Sequence, residues 1–449
     1  MANGLKNSGQ KPSLLKVLGL WDSVALAVGI VIGVGIFRVP AEVARYLPYP
    51  ELILLAWIIG GTFSIVGASC YGELSSSFPE TGGDYVYLKE SYGPFVGFLY
   101  GWSGILVVRT GVIAAVAFIF AEYFVSFLGL DRSLVKLTAV AIVLLLSFIN
   151  VLGLREGKRI QNISVIAKAL ALITIIACGI FSGKGDVSNF HHVPIPSDLG
   201  IIPLFGLALI PILWAYGGWH ENTFVTGETK DARRVLPMAL ITGTLIIIFF
   251  YLCMNLVYIY LVPVDKMANA NLIVSNVMHI LYGKWAKKAV EVLVIISAFG
   301  GLNGTIITSS RITYALGKDN RLFAFLGKVD KRFKTPAIAI TVNALWGCVL
   351  IIWGTFNKLL FFMGVLVWLF FAIIVAGIFV LRYKFPDMER PFKAWGYPVA
   401  PIMFVLVCIW LVVNSTIHYP LQALAGFGLM FTGVPFYFIS RFGKHSGKL

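Results

Sequence analysis

About twelve apolar stretches follow one another along these 449 residues, each close to the ~20 residues a helix needs to cross a ~30 Å hydrocarbon core. The clearest lie at 52 to 71, 110 to 130, 137 to 154 and 239 to 263. Backbone amides and carbonyls have no water to bind inside a bilayer, so such stretches fold as helices that satisfy their own hydrogen bonds. Length alone would suggest about three soluble domains. With 58% apolar and only 13% charged residues, that reading is excluded and an all-α polytopic membrane protein is expected.

The hydropathy pattern predicts helices at 18–46, 52–77, 94–124, 134–153, 159–182, 201–227, 235–262, 286–317, 335–354, 357–382, 398–417 and 420–441. Residues 1–17 and 442–449 are expected to be cytoplasmic tails. The first apolar run is too long for a removable signal peptide, so the first span is retained. The net charge of +15 would fit a nucleic-acid partner, but its placement argues against one. With the amino terminus inside, 23 Lys and Arg fall on inner segments and 9 on outer ones, and the loop from Lys318 to Lys334 alone carries six. That asymmetry predicts both termini in the cytoplasm. The five cysteines stand singly within apolar stretches, without metal-ligand or disulfide spacing, so no metal site is expected.

Two spans are interrupted. The first contains Gly33-Val34-Gly35-Ile36-Phe37 and Pro40; the sixth contains Pro211 and Tyr216-Gly217-Gly218-Trp219. Glycine costs about 1 kcal/mol in a helix interior relative to alanine, so paired glycines at bilayer depth read as backbone left open. The two spans lie five apart and therefore run in opposite directions, as in an inverted repeat whose halves are residues 18–182 and 201–382, with 398–441 appended. Interrupted segments at matched positions of such halves point to a substrate site between them. The glycines at 93, 97 and 101 read instead as a packing face.

A broken helix exposes free amides on one side of the break and free carbonyls on the other, with matching partial charges. An amino acid zwitterion is complementary to that pair. Its carboxylate would meet the freed amides near Val34, Gly35 and Ile36, and its ammonium the carbonyls of Val31, Ile32 and Ala215, with Gly33 at the first break and Tyr216, Gly217 and Gly218 at the second completing the site. Trp214 would cover the substrate as an aromatic gate.

Ionisable residues at membrane depth are expensive and mark function. Lys168 lies about nine residues, roughly 13 Å, into the fifth span, farther than its side chain reaches by snorkelling. A fixed ammonium there would replace a coupling sodium ion and join the fifth span to the first break and to a hydroxyl such as Thr308, Ser309 or Ser310. Arg109, mid-way along the third span, needs a partner that spacing does not name. His220 is a further candidate for substrate or proton contact, while Glu122 and Glu291 read as solvated or paired near outer helix ends.

The blocks GVGIFRVPA (33 to 41), FPETGGDYVYLKESYGP (78 to 94), SVIAKALAL around Lys168, AYGGWHENTFVTGETKDARRVLP (215 to 237), FGGLNGTIITSSR (299 to 311) and PDMERPFKAWGYP (386 to 398) resemble the L-amino acid transporter group of the amino acid, polyamine and organocation superfamily. The resemblance implies the leucine-transporter fold, twelve helices and alternating access, usually by sodium-independent exchange. It also implies that Lys168 stands in for sodium, that Tyr251 supports it and that Trp214 is the outer gate. Animal relatives join a single-span glycoprotein through a cysteine between the third and fourth helices. Residues 124 to 134 contain none, so no disulfide-linked heavy chain is expected, which fits a prokaryotic plasma membrane. Val34 replaces a common serine, and His220 stands where relatives often have asparagine.

The leading reading is an exchanger of neutral, small L-amino acids without cofactor, having the amino acid and the bilayer as partners. A proton-coupled carrier is the alternative. An intramembrane enzyme would need a nucleophile with its base or a metal cluster, and the sequence shows neither; a non-transporting receptor is the remaining reading.

Overall fold

The computed structural model describes residues 18–79, 83–152, 157–190, 200–270, 272–330, 332–333 and 335–442. Among them sixteen α-helices carry nearly the whole chain, and the one β-bridge pairs Leu18 with Thr229. The expected tails lie outside the described residues, apart from Phe442, the last residue of the final helix.

The first membrane passage is α1 (Leu20–Val31) followed by α2 (Gly35–Tyr46), interrupted at residues 32–34. The second is α3 (Pro50–Ser77). A short polar helix, α4 (Asp84–Tyr92), precedes the third passage, which is α5 (Pro94–Ser103), a π-helical turn (Gly104–Val108) and α6 (Arg109–Leu128). Hydropathy missed α4 because nine largely polar residues cannot form a span. Gly93, at φ 93°, is the turn between α4 and α5 and not part of a packing face.

The fourth and fifth passages are α7 (Val135–Leu152) and α8 (Gly157–Phe181). The sixth is α9 (Ile201–Tyr216) continued by a 3-10 segment (Trp219–Glu228), and the seventh is α10 (Ala232–Leu261). After the short α11 (Val264–Asn269) comes α12 (Ile273–Asp319), which turns sharply at Gly283, where φ is 77°. The part after the turn is the eighth passage, and it begins two residues before the expected 286, at Lys284. The last four are α13 (Ala337–Trp353), α14 (Phe356–Lys384), α15 (Val399–His418) and α16 (Pro420–Phe442). Eight of the passages meet the length and apolarity of a full span, and four shorter apolar helices, including α1 and α9, supply the others. The described residues thus make twelve passages, and the protein is a multi-pass membrane protein.

The two interrupted passages lie antiparallel. The Lys230 amide donates to the Leu18 carbonyl at 2.8 Å, and the Asn222 side chain to the Ser23 carbonyl at 2.9 Å. Further along, a Cβ on Gly35 would lie 3.0 Å from the Ala215 Cα. Thus α1 runs against the 3-10 segment from the Leu18 face to the centre, and α2 continues beside α9 toward the opposite face. Glycine at 35 permits that backbone approach, because any side chain would press into Ala215.

Candidate functional site: the double helix break

The first backbone hydrogen bond of α2 runs from the Phe37 amide to the Val34 carbonyl, at 3.2 Å. The amides of Val34, Gly35 and Ile36 are the donors that a helix start leaves without a carbonyl one turn back, and no backbone acceptor among the described residues takes them. Below them, the Gly33 amide is committed to the Val31 carbonyl at 2.6 Å. Gly33 thus closes the end of α1, and the expected donors are the three amides that follow it. In the sixth passage α9 stops at Tyr216, the Gly217 amide closes on the Trp214 carbonyl at 3.0 Å, and Gly218 turns the chain at φ 104°. Glycine suits that left-handed value, which a side chain would strain.

Tyr251 of α10 joins the two breaks. Its hydroxyl is placed 2.7 Å from the Val31 carbonyl and 3.2 Å from the Ala215 carbonyl, and it donates to this pair. Two of the three carbonyls expected to hold an ammonium group thus share one phenol, and that of Ile32 does not. The phenol is fully buried against Trp57 and Tyr216, with ring centroids 5.6 and 5.2 Å away, while the Tyr216 hydroxyl donates to the Trp57 carbonyl. These aromatics hold the end of α9 and the end of α1 at fixed separation.

Lys168 is buried on α8, which packs against both α1 and α12. Its ammonium forms no hydrogen bond or ion pair with the described residues, and the buried Ser309 hydroxyl also lacks a partner. The hydroxyls of Thr308 and Ser310 bond to carbonyls of their own helix, those of Thr305 and Ile307. The structure therefore brings the helices together without an Lys168–Ser309 bond.

Two polar layers flank the breaks. Toward the Leu18 face, Arg109 forms an ion pair with Glu221 and lies over the Phe224 ring at 4.9 Å. Beside it, the His220 Nε2 is 3.9 Å from the Asp84 carboxylate, which accepts a 2.7 Å hydrogen bond from the Tyr100 hydroxyl. The His220 Nδ1 and the Asp84 Oδ1 are buried without a partner. Toward the opposite face, Arg38 pairs with Glu42 and Glu122, and Asn357 donates to Glu42 at 2.7 Å. The Arg38 guanidinium also covers the Phe356 ring, on which the half-buried Trp214 packs edge-on at 5.5 Å. Glu122 and Glu291 are both paired, and Glu291 is buried rather than solvated.

Asp84, Tyr100, Glu221, Arg38 and Glu42 were not singled out in the sequence. The Arg38/Glu42 spacing of four within an apolar span was a usable signal. Nothing local marks the pairing of Glu221 with a residue 112 positions away.

Two oppositely running helices are broken at one level and share a buried phenol, with backbone amides and carbonyls turned to the break. The chain belongs to the amino acid permease family, whose profile matches residues 18–438. It is 30% identical over 434 residues to the mouse b(0,+)-type amino acid transporter 1, covering 95% of this chain and 88% of that protein. It is 32% identical over 463 residues to the large neutral amino acids transporter small subunit 2 of mouse and of human, covering 98% of this chain and 84% and 83% of those proteins.

Proposed function

We propose that this permease exchanges neutral, mainly small L-amino acids across the plasma membrane by alternating access, without sodium. The observation that carries the reading is the junction itself: uncommitted amides at Val34 to Ile36 stand beside the carbonyls of Val31 and Ala215, which a single phenol holds together. A site made of backbone binds the head common to all amino acids and leaves selection to the side-chain pocket. The names of the relatives, all amino acid transporters, agree with that substrate class.

In this reading Lys168 supplies the fixed positive charge of a coupling ion and moves between partners, with Ser309 as one of them, as the gates alternate. Trp214, backed by Phe356 and Arg38, is the gate on the outer side. The inverted halves are residues 18–182 and 201–382, and both termini are cytoplasmic. No covalent heavy chain is part of the proposal, since the cysteines at 70, 178, 253, 348 and 408 all sit within helices and three of them are buried. The reading involves no enzymatic step.

The test is radiolabelled uptake into proteoliposomes. Uptake should require amino acid inside and be unchanged when choline replaces sodium. Strict sodium dependence overturns the role given to Lys168. The His220–Asp84 pair, with a buried and unpartnered atom on each side, favours a second reading, proton coupling; accumulation into empty vesicles driven by an inward proton gradient would establish it.

A further inference from the structure

The face opposite Leu18 carries a cavity of about 350 Å³ at the Gly283 turn of α12. It is lined by Asn276 and His279 before the turn, Lys284, Lys287 and Lys288 after it, Ser126 of α6, and Glu291. Three ammonium groups therefore share the cavity with one carboxylate. That carboxylate is already engaged: Glu291 is 1% exposed, accepts a 2.8 Å hydrogen bond from Ser126 and lies 3.8 Å from the Lys287 ammonium. Lys288 lies 5.5 Å over the Phe127 ring, and neither it nor Lys284 has a carboxylate partner among the described residues. Elsewhere on the same face Lys136 and Lys184 reach helix-end carbonyls and Arg45 pairs with Glu42.

The cavity stands at the edge of an apolar, outward-facing surface. Trp285 is 87% exposed, and Val292, Ile296 and Phe299 continue from it along the same helical stripe, all exposed. Tryptophan and lysine at the start of a span mark the headgroup level of a bilayer, with the acyl region beyond. A free anion would use the lysines alone; a lipid would use the lysines and the stripe together.

We propose that this cavity binds the phosphate headgroup of an anionic phospholipid, with one acyl chain lying along Trp285, Val292, Ile296 and Phe299. Basic pockets between membrane helices recognise such headgroups, each lysine near the surface contributing about 1 kcal/mol. The proposal is independent of the transport reading.

The purified full chain in detergent, incubated with phosphatidylglycerol or phosphatidylcholine and weighed by native mass spectrometry, tests it. The chain should retain phosphatidylglycerol over phosphatidylcholine by about thirtyfold, as two surplus lysine charges at about 1 kcal/mol each predict. The preference should vanish in the Lys284→Gln/Lys287→Gln/Lys288→Gln variant and persist in Lys358→Gln, a change on the same face outside the cavity. Lys284→Gln and Lys288→Gln singly should each lower retention, which keeps the test decisive if the triple variant folds poorly. Equal retention of the two lipids, or undiminished phosphatidylglycerol binding in the variants, overturns the proposal. So does displacement of the lipid by inorganic phosphate at millimolar concentration, which would make the cavity a site for free anions.

Discussion

The Tyr251 hydroxyl stands 2.7 Å from the carbonyl of Val31, binding the seventh passage to the end of α1 at the point where the first passage is broken. The same hydroxyl reaches Ala215 across the second break, so one phenol sets the spacing of the two half-helices.

Removing that hydroxyl takes a donor from the Ala215 carbonyl and leaves that of Val31 with the Gly33 amide alone. Tyr251→Phe should destabilise the protein by about 1–3 kcal/mol and slow exchange by about tenfold. Thermal unfolding in detergent and proteoliposome exchange rates measure the two effects; wild-type exchange would remove Tyr251 from the mechanism.

Gly35 faces the backbone of Ala215 so closely that an added Cβ would lie 3.0 Å from its Cα. Gly35→Val should force the breaks apart, at a cost of about 1–3 kcal/mol for overpacking, and abolish substrate binding. Substrate-induced thermal stabilisation, present in the wild type and lost in the variant, is the expected result. Unchanged affinity would show that the site does not depend on this contact.

Arg109 is buried and forms an ion pair with the largely covered Glu221. Arg109→Gln or Glu221→Gln alone should cost about 3–5 kcal/mol, since each leaves one buried charge without its partner. The double variant should recover part of that loss. A thermodynamic cycle over the four proteins gives the coupling, and additive losses would mean that the pair does not act as a unit.

Lys168 has no charged partner within reach of its ammonium among the described residues. Lys168→Ala should abolish exchange while leaving folded protein in detergent, and sodium should not restore it. Robust exchange by this variant would remove Lys168 from the transport cycle.

His220 contacts the ring of Phe371 at 5.0 Å and that of Tyr71 at 5.8 Å, beside the turn at Gly218. His220→Asn should change which side chains compete for uptake more than it changes maximal exchange. A competition panel of twenty amino acids measures this, and an unaltered panel would place His220 outside the selectivity pocket.

Much of this was legible in the chain. The apolar lengths set the membrane passages, because a segment that must satisfy its own backbone in hydrocarbon has few alternatives to a helix. The breaks at Gly33 to Gly35 and at Gly217-Gly218 were readable for the same reason, glycine being the residue that a helix interior tolerates least after proline. Local composition likewise marked Lys168, Arg109 and His220 as charges or rings needing an explanation. It could not mark α4, whose polar residues resemble an ordinary loop until Asp84 meets Tyr100 and His220.

Amino acid order alone thus determined immersion in the bilayer, the number of passages and the depth at which two of them open, since each follows from the solvation of a short stretch. Only the tertiary structure decided that Glu221 neutralises Arg109, that Glu42 and Glu122 share Arg38, and that Tyr251 closes both breaks. Those pairings depend on the register in which distant helices pack, and register is a property of the assembled interfaces rather than of any one segment.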